Sequence, residues 1–153
     1  MMKLQTADIT FVLIQFVLFL LFILEIPQLQ VALPNFISII GITGAVVGCI
    51  ILLTAVLQLN KNLSPFPSPK SGSQLIQNGL YKYIRHPIYT GILTLLSGYS
   101  LYATSGYKLL ITLLLLVLFI FKSSYEEKRL TLTFKSYSKY KKTTGRFLPK
   151  INP

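Results

Sequence analysis

The chain has 153 residues, enough for one domain, of which 52% are hydrophobic and only 12% charged, about half the charged share of a soluble domain. A soluble core of this size could not bury so many apolar side chains, whereas a bilayer solvates the outer faces of helices. The net charge of +11 does not point to nucleic acid, because the Lys and Arg residues flank or follow apolar runs, where they fix orientation and attract anionic lipid.

The first span is expected over residues 9–26, interrupted only by Gln15 and, near its end, Glu25. It is too long for the apolar region of a signal peptide and lacks a small-residue cleavage site, so it is expected to be retained. Pro27 and Pro34 bracket an uncharged connection, 28–33. The second span, 36–59, is long enough to cross with some tilt. Gly41, Gly44 and Gly48 lie on neighbouring turns of it, small residues that let another helix approach closely. Cys49, the only cysteine, excludes an intrachain disulfide and is expected to pack within this run.

After residue 59 the pattern breaks, because Ser64-Pro-Phe-Pro-Ser-Pro69 cannot be helical and Gly72 and Gly79 add turns. A third span is expected over 88–104, softened by Gly91, Ser97 and Gly98. The fourth, 109–121, is apolar apart from Thr112, with Lys108 and Lys122 expected to snorkel to the two interfaces. Residues 124–142 read as an interfacial amphipathic helix: Leu130, Phe134 and Tyr137 follow helical spacing, while Lys135, Lys139, Lys141 and Lys142 supply charge. The expected fold class is an all-α integral membrane protein, one domain over 1–153. It has four transmembrane helices, a central loop 60–87, a tail 122–153 and a C-terminal interfacial helix.

Charge sets the orientation. The first connection carries no Lys or Arg and the third only Lys108, whereas the central loop holds Lys61, Lys70, Lys82 and Arg85 and the tail is basic throughout. By the positive-inside rule the loop, the tail and the N-terminus with Lys3 face the cytoplasm.

The scarce polar residues are concentrated. His86, the only histidine, lies in Arg85-His86-Pro87 at the mouth of the third span, and two of the four acids, Glu126 and Glu127, are adjacent just past the fourth. Consecutive spans with a short connection are antiparallel neighbours, so these two ends should meet on one membrane face. Singly, each residue has a plainer role: Arg85 on a lipid phosphate, Pro87 at a helix start, the glutamates as solvated charges beside Lys128 and Arg129.

The stretch Gly79-Leu-Tyr-Lys-Tyr-Ile-Arg-His-Pro-Ile-Tyr-Thr-Gly91 resembles the G-x-Y-x-x-x-R-H-P-x-Y-x-G signature of the isoprenylcysteine carboxyl methyltransferase family, to which phospholipid methyltransferases are similar. Glu126-Glu127 before Leu130, Phe134, Tyr137 and Tyr140, then Arg146-Phe-Leu-Pro149, resembles that family's ending. The resemblance covers residues 78–149 in the right order.

It implies a membrane methyltransferase using S-adenosyl-L-methionine in a cytoplasm-facing pocket. Tyr81, Arg85, His86, Pro87, Tyr89, Gly91, Glu126 and Glu127 are the implied cofactor contacts, with Arg85 and Glu127 the implied catalytic pair and no metal required. The residue types suit that ligand. An Arg fork grips a carboxylate, a Glu accepts from ribose hydroxyls or an ammonium, and Tyr faces adenine or sulfonium. Gly79 and Gly91 also fit turn and packing roles, and the amphipathic tail also suits a lid.

Transfer from a sulfonium is an in-line displacement, accelerated chiefly by alignment and desolvation. The expected partners are a lipophilic or lipidated acceptor and anionic membrane lipid, with no nucleic acid. The acceptor is a lipid-like or isoprenylcysteine-like carboxylate or, alternatively, a phospholipid or other lipid amine. A sterol-type reductase using NADPH shares a His-Pro-x-Tyr element and a C-terminal Tyr-rich block, but the Glu126-Glu127 pair favours methyl transfer; a non-catalytic membrane protein is the remaining alternative.

Overall fold

The computed structural model of the protein describes residues 5–26 and 29–150. Lys3, Pro27 and Gln28, which enter the orientation and connection readings above, lie outside the described residues. Five helices follow in chain order: α1 (Thr6–Ile23), α2 (Asn35–Leu59), α3 (Pro87–Tyr102), α4 (Gly106–Thr133) and α5 (Tyr137–Thr143). Short 3-10 turns occupy Asn60–Asn62 and Gly79–Lys82, and no strand forms among the described residues.

Helix α1 begins before the apolar run because Asp8 accepts a hydrogen bond from the Gln5 N–H at 2.8 Å and closes the first turn. It ends at Ile23, earlier than the apolar run does. Helix α1, the stretch Asn35–Asn62 containing α2, and α4 are each long and apolar enough to cross a bilayer. Leu13, Phe16, Ile39, Ile50, Leu113 and Phe121 stand exposed on them. An apolar surface of this extent marks an integral membrane protein. Cys49, expected to pack inside, is exposed on α2.

Helix α3 departs from the expected third span. It has 16 residues, about 24 Å at the helical rise, short of a hydrocarbon layer of roughly 30 Å. Length and composition therefore give three crossing helices among the described residues. The small residues that soften α3 serve its packing. A Cβ on Gly91 would meet Leu52 N at 2.6 Å, one on Gly98 would strike Ala45 N, and one on Gly41 would meet Tyr102 N at 2.6 Å. Gly48 lies equally hard against the backbone at Leu95. The close approach expected of the α2 glycines is thus made with α3, which answers with glycines of its own.

On the other side, α1 and α4 pack through a core of Leu18, Phe22, Tyr107, Ile111, Leu115, Leu118 and Phe119, with Tyr89 and Ile92 of α3 against it. The Tyr107 hydroxyl donates to Leu21 O at 3.0 Å. Neither lysine flanking the fourth apolar run snorkels outward. Lys108, 4% exposed, donates to Phe22 O at 2.9 Å and Leu24 O at 3.3 Å. Lys122, 2% exposed, donates to Gln15 Oε1 at 2.6 Å and Pro65 O at 3.0 Å. Both side chains turn inward to oxygen acceptors on α1 and the central loop.

A second difference concerns the tail. The expected single helix over 124–142 is divided: α4 continues to Thr133, Phe134 takes an extended conformation, and α5 starts at Tyr137. The helix runs past the apolar residues because its inward polar face, Lys122, Ser123 and Glu127, is buried. The break lets Tyr137 and Tyr140 turn inward, both buried.

Candidate active site

The central loop, irregular because of its prolines, folds back over the ends of α1, α3 and α4. Asp8, fully buried, anchors it by accepting from Ser68 N at 3.1 Å and Ser68 Oγ at 2.8 Å. Arg129 Nε donates to the same Ser68 hydroxyl at 3.1 Å. Gln58 Oε1 accepts from Leu80 N at 2.9 Å where Gly79 turns the chain at φ 58°, a left-handed conformation that glycine adopts without strain.

Arg85 and His86 follow directly, and Pro87 opens α3 at its first turn, where a missing N–H costs nothing. Tail residues run alongside as a short extended strap. Arg85 N donates to Gly145 O at 2.8 Å, His86 N to Arg146 O at 3.1 Å, and Gly145 N to Tyr83 O at 3.1 Å. Thr90 Oγ1 donates to Phe147 O at 2.7 Å and the Tyr140 hydroxyl to Tyr81 O at 2.5 Å.

The two glutamates part company. Glu127, 1% exposed, is surrounded by basic groups: Arg85 Nε at 2.8 Å, Lys141 Nζ at 2.7 Å, His86 Nε2 at 3.3 Å and Arg146 Nε at 3.7 Å. The Arg85 guanidinium also donates to the backbone oxygens of Lys141, at 3.2 Å, and Thr144. Glu127 and Arg85 therefore knot α4, the loop and the tail together, and the Nε and Nη1 donors of Arg85 are committed within the protein. Glu126 instead accepts from the Tyr89 hydroxyl at 2.9 Å and lies 3.7 Å from His86 Nδ1. The His86 ring stacks on Tyr89 at 5.4 Å, and Tyr89 on Phe119 at 4.5 Å.

These elements enclose a cavity of about 340 Å³, within the range of small-ligand sites. Tyr81, Arg85, His86, Pro87, Tyr89 and Glu126 all line it, together with Lys122, Gln15, Tyr137, Tyr140 and the Pro-rich loop. Glu127 does not line it, and Gly91 faces α2 in the glycine seam. Burial raises the Tyr81 phenol well above its ordinary value, with the Glu126 charge adding to the effect, and raises that of Tyr137 likewise. Burial pushes Tyr140 up to about 12, Arg85 opposing and Glu127 reinforcing it. All three hydroxyls are therefore neutral donors at working pH. That of Tyr137, 1% exposed, has no hydrogen-bond partner among the described residues although its side chain lines the cavity.

Sequence reading missed three contributors. Asp8 lay unnoticed in the first turn of α1, Gln15 read only as an interruption, and Lys122 as an interfacial anchor. A lone amide within an apolar span was a usable signal, since polar groups there ordinarily face a partner or a cavity.

The sequence pattern of the phospholipid methyltransferase family matches residues 36–139. Among solved structures, that of the eukaryotic intramembrane Ras methyltransferase, isoprenylcysteine carboxyl methyltransferase, is similar at a TM-score of 0.68 and 23% identity. The likeness covers 97% of this chain and 55% of that one, so this chain spans little more than half the length of that relative. A comparison with curated proteins finds no match. The matched family pattern runs through both the Arg85-His86-Pro87 loop and the Glu126-Glu127 pair on α4, and the chain accordingly belongs, as an integral membrane protein, to the phospholipid methyltransferase family.

Proposed function

We propose that the protein transfers a methyl group from S-adenosyl-L-methionine to a lipid-borne acceptor at the cytoplasmic face of the membrane. The observation that carries this reading is the convergence of both motif blocks, through Tyr81, His86, Tyr89 and Glu126, on one cavity. The whole chain acts as a single domain. α3 completes a four-helix transmembrane bundle beside α2, and α5 rests at the cytoplasmic interface. The basic central loop and tail then lie inside, by the positive-inside rule.

The residues present fit the cofactor. Tyr137 offers a buried hydroxyl that lacks a partner among the described residues, and Glu126 a carboxylate partly open to the cavity. Glu126 suits a ribose diol or an ammonium, and the stacked faces of His86 and Tyr89 suit an adenine or a sulfonium. When bound, S-adenosyl-L-methionine supplies an electrophilic methyl group. The protein's part is to orient, through the neutral Tyr137 hydroxyl and the Glu126 carboxylate, and to exclude water with the strap and the Pro-rich loop. Arg85 and Glu127, the implied catalytic pair, act in this arrangement as positioning residues that hold the strap.

The acceptor is a lipid-like carboxylate, which reacts without a base. A lipid amine is a second reading, favoured by Glu126, whose carboxylate lies 3.7 Å from His86 Nδ1 and so provides a place for a released proton. Isothermal titration in detergent tests the cofactor: S-adenosyl-L-methionine should bind and S-adenosylhomocysteine compete with it. Labelled methyl transfer into a lipid extract then tests the reaction. Tight NADPH binding with no response to either sulfur nucleoside sinks the proposal.

A further inference from the structure

Lys122 is the feature that the cofactor reading leaves unused. It is buried, it lines the cavity, and among the described residues no carboxylate lies within ion-pair distance of its amine. A cation in that position is costly unless something compensates it. Its two partners, the Gln15 amide oxygen and the Pro65 carbonyl, are both neutral.

Lys108, on the same helix, provides an internal comparison. It too is buried and bonded to neutral oxygens, but these are Phe22 O and Leu24 O at the C-terminal end of α1. The negative end of a helix dipole stabilises a cation there, and the rings of Phe22 and Tyr99 flank it. Lys108 does not line the cavity. It is a finished structural tie. Lys122 has no helix end behind it; the Tyr89 ring stands 5.6 Å away, and the charge of Glu126, one turn on, acts on it from beyond ion-pair distance.

Position adds a second argument. Lys122 directly follows the apolar run of α4 and lies one helical turn before Glu126, about 6 Å along the axis, so it occupies the membrane-ward end of the cavity. Leu59, Ile88 and Ile92 supply apolar wall to the same cavity. A water-soluble cofactor belongs at the opposite, polar end, beside the strap.

We infer that Lys122 and Gln15 form an acceptor subsite that receives an anionic oxygen group, carboxylate or phosphate ester, carried on an acyl chain. The subsite rests on the methyl-transfer reading for its purpose but not for its test. Lys122 Nζ donates to the anion while Gln15, already bonded to that amine, fixes its direction.

The test uses the full chain in detergent and three fluorescent probes of equal acyl length: a fatty acid, a phosphatidic acid and a fatty alcohol. The wild-type protein should bind at least one anionic probe about tenfold more tightly than the alcohol. The fatty-acid and phosphatidic-acid arms identify which anion the subsite takes. Lys122→Met should abolish that preference while affinity for the fatty alcohol stays unchanged, and Lys108→Met should keep the preference while lowering Tm. Should Lys122→Met fail to fold, Gln15→Leu decides, with the preference expected to fall severalfold. An unchanged preference in the folded Lys122 variant, or in Gln15→Leu when it must decide, overturns the subsite, as does equal binding of all probes by wild type. Loss of S-adenosylhomocysteine binding by wild type itself would strike the methyl-transfer reading and leave the anion result standing on its own.

Discussion

The two flanks of α3 are built on opposite principles. Toward α2 it presents Gly91 and Gly98 to a backbone so near that no Cβ fits. Toward α1 and α4 it presents Tyr89 and Ile92 to an aromatic and aliphatic core that opens into the cavity. The first contact is close and made by backbone; the second is held near its polar end by charges and hydrogen bonds between distant segments. The difference teaches where tolerance lies. The seam cannot yield without moving a helix, while the cavity side can lose a bond and keep its bundle.

Glu127→Gln should have the largest effect, because it leaves Arg85 and Lys141 facing a neutral amide. Breaking a buried ion pair costs about 3–5 kcal/mol, and here the loss should fall on strap docking. Limited trypsin digestion should cut first near Lys141 and Lys142, with the helices before α5 intact. Cleavage unchanged from wild type would erase the proposed division of labour. Gly91→Ala comes next, with a loss of about 1–3 kcal/mol from overpacking, read as a lower Tm. Its affinity for S-adenosylhomocysteine, measured where the variant is still folded, should match wild type; a selective loss of affinity would move Gly91 from seam to site.

Glu126→Gln should be nearly silent in Tm yet weaken cofactor affinity about tenfold, the reverse of a structural residue. Equal behaviour of the two glutamates in titration and melting would collapse the distinction drawn between them. The smallest effect concerns pH. Since the folded phenol of Tyr140 titrates near 12 rather than 10, its contribution is complete below pH 10 and disappears as pH rises toward 12. Tyr140→Phe should lose about 1 kcal/mol at neutral pH and show a shallower decline above pH 10. A decline as steep as wild type would exclude Tyr140 from the alkaline transition.

Much of this contrast was legible in the sequence. Gly41, Gly44 and Gly48 announced a close helix contact, and the two motif blocks announced a shared membrane face, because spacing and residue type are local properties. What escaped was decided by tertiary neighbours. Nothing near Lys122 in sequence says that Gln15 lies closer than the interface. The continuation of α4 through Glu126 and Glu127 is likewise invisible to a count of apolar residues, because burial of Glu127 against Arg85 and Lys141 sustains it. The same burial directs Glu126, rather than its neighbour, into the cavity, a choice that adjacent identical residues cannot reveal alone.

The strap also has a consequence in time. Residues 83–86 and 145–146 pair across a long stretch of chain that includes two hydrophobic helices, and contacts so distant in sequence form late because loop closure must precede them. The helices can enter the bilayer and pair by their glycines while the cavity still lacks a wall. The expected order of assembly is therefore insertion and then clasping. A chain shortened before Thr144 should reach the membrane in normal amount, yet remain a bundle that cannot hold its ligand.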